Sequence, residues 1–267
     1  MRALVGLAVV IIAVAAWSES ACGATISQIR QRGYAIVATQ DDAPPFEYHA
    51  RSGFVGFDND LLQILRKSAG FEIRQEVHSL QDVLAGTVEG RYDVGLTALA
   101  ISPMRAKSLD FTVPIAKTTM AYVFLKAGGP GRSVEDLSGK TIAVQAQGPS
   151  AEVLANLASR LRETGGKIGR VVQYHTYAEA YEDLIRRRVD AVINDRDVLS
   201  QLVGRTSGLL ELGETIGPTF DVAWAVKKRN SGLLRVLNEF IEQKSIDGTL
   251  RRLEVKYGLV GNGNHRP

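Results

Sequence analysis

Apolar residues recur along this chain in short blocks, and the blocks alternate between two periods. Residues 34–39 read Tyr-Ala-Ile-Val-Ala-Thr, a continuous run that predicts a buried strand. Residues 60–69 instead set Leu61, Leu62, Leu65 and Ala69 at helical spacing, and Gly70 supplies the stop. Further strands are predicted over 71–77, 94–98, 121–126, 141–144, 171–174, 191–194 and 222–226. Helices are predicted over 26–32, 79–88, 150–163, 178–187, 231–245 and 248–257, with another opening at Asp195. Strand–helix alternation of this kind argues for an α/β fold with mostly parallel sheets. A loop over residues 40–46 is stiffened by Pro44 and Pro45, and Gly53 and Gly56 punctuate a hairpin-like approach to Asp58.

The stretch over residues 90–115 carries the first candidate chemistry. A turn at 90–93 leads into the strand at 94–98, and Ser102-Pro103 reads as a helix start, with Ser102 as N-cap and Pro103 at the first helical position. Arg105 then lies one turn in, behind the C-terminal end of the strand, the edge at which open α/β sheets take their ligands. A guanidinium fixed there offers a planar fork that matches a carboxylate at two points. A solvated surface arginine is the other reading of the same residue.

Composition narrows the field. The chain has 267 residues, 45% of them hydrophobic, enough for one large domain or two modest lobes. The net charge of +3 is mixed along the chain, and the run Arg186-Arg187-Arg188 reads as a solvated helix end, so nucleic acid is not an expected partner. The single cysteine, Cys22, excludes a disulfide framework, and four scattered histidines give no metal-ligand spacing; no metal or cofactor is expected. Arg2, the uncharged apolar run at 3–17 and the small polar residues at 18–24 have the layout of a cleaved secretory signal. The run falls short of the roughly 20 residues a spanning helix needs. An uncleaved anchor and lipidation of Cys22 are the alternatives, the second opposed by Glu19 at the position where a lipoprotein signal usually has leucine. The mature protein is thus expected in the periplasm, and residues 261–267 read as a disordered tail.

Six stretches, taken in order, resemble the bacterial extracellular solute-binding proteins of family 3, the capture subunits of polar amino-acid ABC importers. They are Ala43-Pro44-Pro45-Phe46-Glu47, Gly56-Phe57-Asp58-Asn59-Asp60-Leu61, the run from Arg105 to Pro114, Asp136-Leu137-Ser138-Gly139-Lys140, Gln147-Gly148, and Asp190-Ala191-Val192-Ile193-Asn194-Asp195. The resemblance implies a two-lobed, type II periplasmic binding protein-like α/β fold with two crossing strands between the lobes, near 121–126 and 222–226. Lobe 1 is expected to hold residues 25–124 and 223–267, and lobe 2 residues 125–222, closing on a ligand by a hinge motion. It further implies a monomer that binds an amino acid or similar small zwitterion, delivers it to a membrane ABC permease, and is not an enzyme.

The same resemblance assigns roles. Arg105 matches the arginine that grips the ligand's α-carboxylate, Ser150 a hydroxyl residue opening a lobe 2 helix, and Asp195 the aspartate that pairs with the α-ammonium. Asp195 also ends a strand and starts a helix, so an N-cap is its simpler reading. Asp42, Ala43, Phe46, Ala98 and Ala100 complete the implied ligand set. Departures from the pattern are equally informative. Ala100 replaces a usual Ser or Thr, Ala43 a stacking aromatic, and Pro149 a Thr, while Ala98 has only its backbone carbonyl to offer. A wide pocket poor in hydrogen bonds is therefore expected. Asp41 and Asp42 favour a cationic ligand side chain or form a plain solvated loop. Two other functions share the scaffold: a cyclohexadienyl dehydratase-like enzyme, for which no second catalytic group stands beside Asp195, and a ligand-sensing domain.

Overall fold

A computed structural model describes residues 24–50, 53–146 and 148–259. The signal at 1–24, but for Ala24, and the tail at 261–267 lie outside the described residues, as does Gln147. Among the described residues no helix is long and apolar enough to cross a membrane.

One half of the molecule is built early in the chain. α1 (Ile26–Arg32) is opened by a capping box at Thr25 and closed by Gly33 in the left-handed conformation. β1 (Tyr34–Thr39) follows, then the small antiparallel sheet of β2 (Asp42–Ala43), β3 (Glu47–Ala50) and β4 (Gly53–Val55). α2 (Phe57–Ser68) starts three residues ahead of the predicted helix and so carries the buried Asp58. β5 (Glu72–Val77), α3 (Leu80–Glu89) capped by Ser79, and β6 (Val94–Ala100) complete the run. Past β6 no α-helix forms: a 3-10 turn at Arg105–Lys107 leads to β7 (Leu109–Phe111). Ser102 still caps that turn, since its Oγ accepts the Arg105 backbone N–H at 3.3 Å.

β8 (Ala116–Leu125) then carries the chain into the second half, which holds β9 (Thr141–Gln145), α4 (Pro149–Glu152), α5 (Leu154–Glu163), β10 (Arg170–Tyr174), α6 (Tyr177–Ile185), β11 (Ala191–Asp195) and α7 (Arg196–Arg205). The helix expected to run from Ser150 to 163 breaks at Val153, which leaves α4 with four residues. β12 (Leu210–Lys227) returns to the first half, and α8 (Ser231–Ile246) and α9 (Thr249–Tyr257) pack there.

The strands join in the order β10-β9-β11-β8-β12-β6-β1-β5, with β7 paired to β12. The sheet is parallel within each half, at β1–β5, β1–β6, β9–β10 and β9–β11, whereas β8 and β12 run antiparallel to their neighbours. β8 and β12 are the two strands shared by both lobes. β12 pairs with β6 and β7 at its Val222–Lys227 end, and β8 pairs with β11 at Met120 to Val123. Two register shifts interrupt their mutual ladder, between Leu212 and Thr215 and between Ile216 and Thr219, and such bulges bend and twist a ribbon. β12 is 18 residues long because it is paired along its length, with β8 from Leu210 to Val222 and with β6 and β7 from Val222 to Lys227; Gly213, Gly217 and Pro218 hide this in the sequence.

The buried clusters follow the lobes. One gathers Leu61, Leu65, Trp224, Leu237, Phe240 and Leu253 around β1, β6 and α2. Two others cover the faces of β8, β9 and β11, through Met120, Ile142 and Leu157 on one side and Val123, Leu184 and Leu199 on the other. Apolar burial is the main stabilising term here, at about 25 cal/mol per Å².

Candidate functional site

Between the lobes lies a cavity of about 60 Å³. One water needs roughly 10–15 Å³ by the same measure, so the space suits a ligand of several heavy atoms. Its walls come from both lobes: Gln40, Ala43, Phe46, Leu80, Thr97, Ala98, Leu99 and Arg105 from the first, Gln145, Pro149, Tyr177, Asn194, Asp195 and Val198 from the second, and Thr118 and Met120 from the shared strand β8. Direct contacts hold the cleft shut around it. Ser102 Oγ donates to Glu152 Oε1 at 2.8 Å, His175 Nδ1 lies 3.3 Å from Gln81 Oε1, and the Arg205 guanidinium sits 5.8 Å from the Tyr48 ring.

Arg105 reaches this cavity from the 3-10 turn. Its backbone is tied down by Ser102, its Nη1 donates to the Ala100 carbonyl at 3.0 Å, and the residue is only 6% exposed. Burial pulls its pKa below the ordinary arginine value, and the Glu152 carboxylate, 3.9 Å from Nε, works against that shift. Nothing at working pH deprotonates it.

Ala98 takes its place by a backbone device. It has φ +41, a left-handed conformation that costs a non-glycine residue energy and is held only by its surroundings. Here the Ala98 N–H donates to Asp58 Oδ2 at 2.8 Å, and Asp58 Oδ1 accepts the Trp224 indole N–H at 2.9 Å. The β6–β12 register shifts beside it, between Ala223 and Ala225. Burial pushes the Asp58 carboxyl up to about 6, with the Trp224 and Ala98 hydrogen bonds pulling the other way.

Asp195 closes β11 and caps α7. Its Oδ1 accepts the backbone N–H groups of Asp197 at 2.8 Å and Val198 at 3.3 Å, and the Thr118 hydroxyl donates to Oδ2. The N-cap reading therefore holds, and the same carboxylate lines the cavity. Burial pushes its pKa up to about 7, the Asp197 charge adds to this, and the two backbone N–H donors oppose it.

Of the eight residues named from sequence, Ala43, Phe46, Ala98, Arg105 and Asp195 line the cavity, and Asp42, Ala100 and Ser150 do not. Ala100 serves through its carbonyl, as the acceptor for Arg105. Ser150 is fully buried, and its Oγ accepts from the Gln145 N–H and the Tyr177 hydroxyl, both at 3.1 Å, so it braces the lobe 2 wall from behind. Asp42 accepts from Gln40 Nε2 at 3.1 Å, while Gln40 Oε1 takes the Thr97 hydroxyl at 2.8 Å. Sequence reasoning passed over six polar liners: Gln40, Thr97, Thr118, Gln145, Tyr177 and Asn194. The wall is richer in polar groups than the alanines suggested. Three of the missed residues share one signal, a position at the C-terminal end of a parallel strand or directly after it: Gln40 follows β1, Gln145 ends β9 and Asn194 is the last but one of β11, whereas Thr97 lies mid-strand, Thr118 lies on the crossing strand and Tyr177 opens α6.

A model of the bacterial extracellular solute-binding proteins, family 3, matches residues 35–260. The L-cystine-binding protein TcyJ of Escherichia coli (strain K12) is 27% identical over 263 residues, covering 96% of this chain and 94% of that protein. ABC transporter arginine-binding protein 1 of the same strain is 25% identical over 215 residues, covering 79% and 84%. Among solved structures, an ancestral arginine-binding protein bound to arginine superposes with a TM-score of 0.75 at 29% identity, over 85% of this chain and 98% of that one.

Proposed function

The chain belongs to the bacterial extracellular solute-binding proteins, family 3, and from that membership we propose that it captures a free amino acid in the interlobe cavity and hands it to an ABC import permease. One observation carries the ligand class: a buried guanidinium, Arg105, and a buried carboxylate, Asp195, stand on opposite lobes and line the same small cavity. A zwitterion is the chemistry that satisfies both, because each charge-assisted hydrogen bond forms where water is already excluded. Ala98 adds its backbone carbonyl for the ammonium, and Gln40, Thr97, Thr118 and Asn194 offer polar partners to the rest. Asp195 is engaged by two backbone N–H groups and Thr118, an arrangement that suits a fixed counter-charge better than a catalytic acid.

Release follows from the hinge motion of lobes 25–124 with 223–267 and 125–222 about β8 and β12. Export through a signal at residues 1–24 would put the mature monomer in the periplasm, where the permease meets it. Relatives named for arginine and cystine make those two the first probes. The test is a thermal-shift screen of purified protein, freed of carried ligand by unfolding and refolding, against the twenty proteinogenic amino acids and L-cystine. A ligand selective for the folded state at a hundred times its Kd adds about 2.7 kcal/mol and raises Tm by several degrees. No shift with any member of the panel would sink the amino-acid reading.

A further inference from the structure

Glu152 lies outside the cavity wall, yet it is the residue that joins the two lobes at Arg105. It ends α4, a helix too short to set up an anion site of its own. Its side chain is 18% exposed and crosses the cleft, so that Oε1 accepts from Ser102 Oγ at 2.8 Å and stands 3.9 Å from Arg105 Nε. Ser102 is buried and does two things at once, since the same Oγ accepts the Arg105 backbone N–H. One hydroxyl thus couples the turn that carries the guanidinium to a carboxylate from the opposite lobe. Asp195, the acidic residue that does line the cavity, is held in place by α7 and Thr118.

We propose that Glu152 is an internal counter-carboxylate of the ligand site: it latches the lobes through Ser102, and a ligand carboxylate reaches Arg105 by exchanging with it. The exchange half of this rests on the amino-acid reading above; the latch half does not. Exchange has a definite consequence. A ligand carboxylate approaching Arg105 meets the Glu152 charge as well, so Glu152 weakens binding of any carboxylate ligand while holding the empty cleft shut. The closed form then exists before ligand arrives, and ligand binding replaces one interlobe bridge by another.

Two measurements test it. The first needs no ligand: small-angle X-ray scattering of refolded, ligand-free protein. The parent is expected to scatter as the closed form, and Glu152→Ala and Ser102→Ala to show a larger radius of gyration and a longer maximum dimension. Superposable curves for parent and Glu152→Ala, or an open parent, overturn the latch. The second is calorimetric titration of Glu152→Gln, whose amide oxygen still accepts from Ser102 but carries no charge. For each amino acid of the panel that binds the parent, this variant is expected to bind about tenfold tighter, the scale of one partly screened like-charge contact. Equal or weaker affinity overturns the exchange. If no amino acid binds the parent, the functional reading falls and the scattering result still decides the latch.

Discussion

An ammonium group can pair with Asp195 only when that carboxyl is ionised, and burial holds its pKa near 7, far above the ordinary 3.8. Binding of an amino acid must then rise with pH across neutrality. At pH 6 a group with pKa 7 is ionised in roughly one molecule in eleven, and at pH 8 in roughly ten of eleven. Affinity should therefore improve about tenfold between pH 6 and pH 8, or about 1.4 kcal/mol, while the ligand's own charges stay constant. The groups facing Asp195 leave this sign intact: Asp197 raises its pKa, the Asp197 and Val198 N–H groups lower it, and Tyr177 and Tyr181, both pushed well above ordinary tyrosine, stay neutral throughout. Calorimetry in two buffers of different ionisation enthalpy measures both quantities, the affinity and the release of up to one proton per ligand near pH 6. Asp195→Asn keeps a good N-cap, and it should bind weakly with no pH dependence over this range. A parent whose affinity is flat from pH 6 to 8, with no proton released, would refute the pairing of ammonium with Asp195.

Other expectations follow from the same contacts. In the ligand-free protein Asp58 and Asp195 both have raised pKa values, so between about pH 4 and 7 the folded state holds more protons than the unfolded one. Stability then falls as pH rises through that window, by about 1.4 kcal/mol per unit for each group that titrates there; a Tm that climbs steadily from pH 4.5 to 7.5 would contradict it. Ser150→Ala leaves the Gln145 N–H and the Tyr177 hydroxyl without their acceptor and should cost about 1–3 kcal/mol in denaturant unfolding. Ligand affinity in that variant should change less than threefold by titration. Asp58→Asn has one acceptor oxygen for two buried donors, the Trp224 indole and the Ala98 N–H, so it should lose about 1–3 kcal/mol of stability and weaken ligand binding together. Mass spectrometry of exported material should find a mature chain starting near Thr25; a lipid-modified Cys22 would overturn the cleavage expected there.

Much of the fold was legible because it rests on local signals. Ser79, Thr25 and Gly33 mark helix ends by side-chain and backbone chemistry that needs no tertiary partner, and α1 and β1 fall on the predicted residues. β12 was not legible beyond 222–226, since its Leu210-to-Asp221 half exists only because β8 lies alongside. The same is true of β8 from Ala116 to Met120. Arg105 and Asp195 could be found because a strand end beside a charged residue is visible in one dimension. Thr118 could not, because what brings it to Asp195 is the antiparallel pairing of Asp195 with Met120 two residues away. Ser150 shows the reverse case: its position in the chain matches the ligand motif, but its hydroxyl turns inward to Gln145 and Tyr177. Glu152 gave no sequence signal either, as its partner Ser102 lies on the other lobe.

Arg105 acts as one jaw of the proposed ligand clamp, and calorimetric titration of parent, Arg105→Ala and Arg105→Lys with the amino acid that the screen selects tests that directly. Removing one partner of a buried charge pair costs about 2–5 kcal/mol, so Arg105→Ala should bind roughly thirty- to several-thousand-fold more weakly while still folding. Arg105→Lys should recover only part of the loss, because a point charge does not reproduce a two-point fork. Parent-like affinity in Arg105→Ala would contradict the clamp.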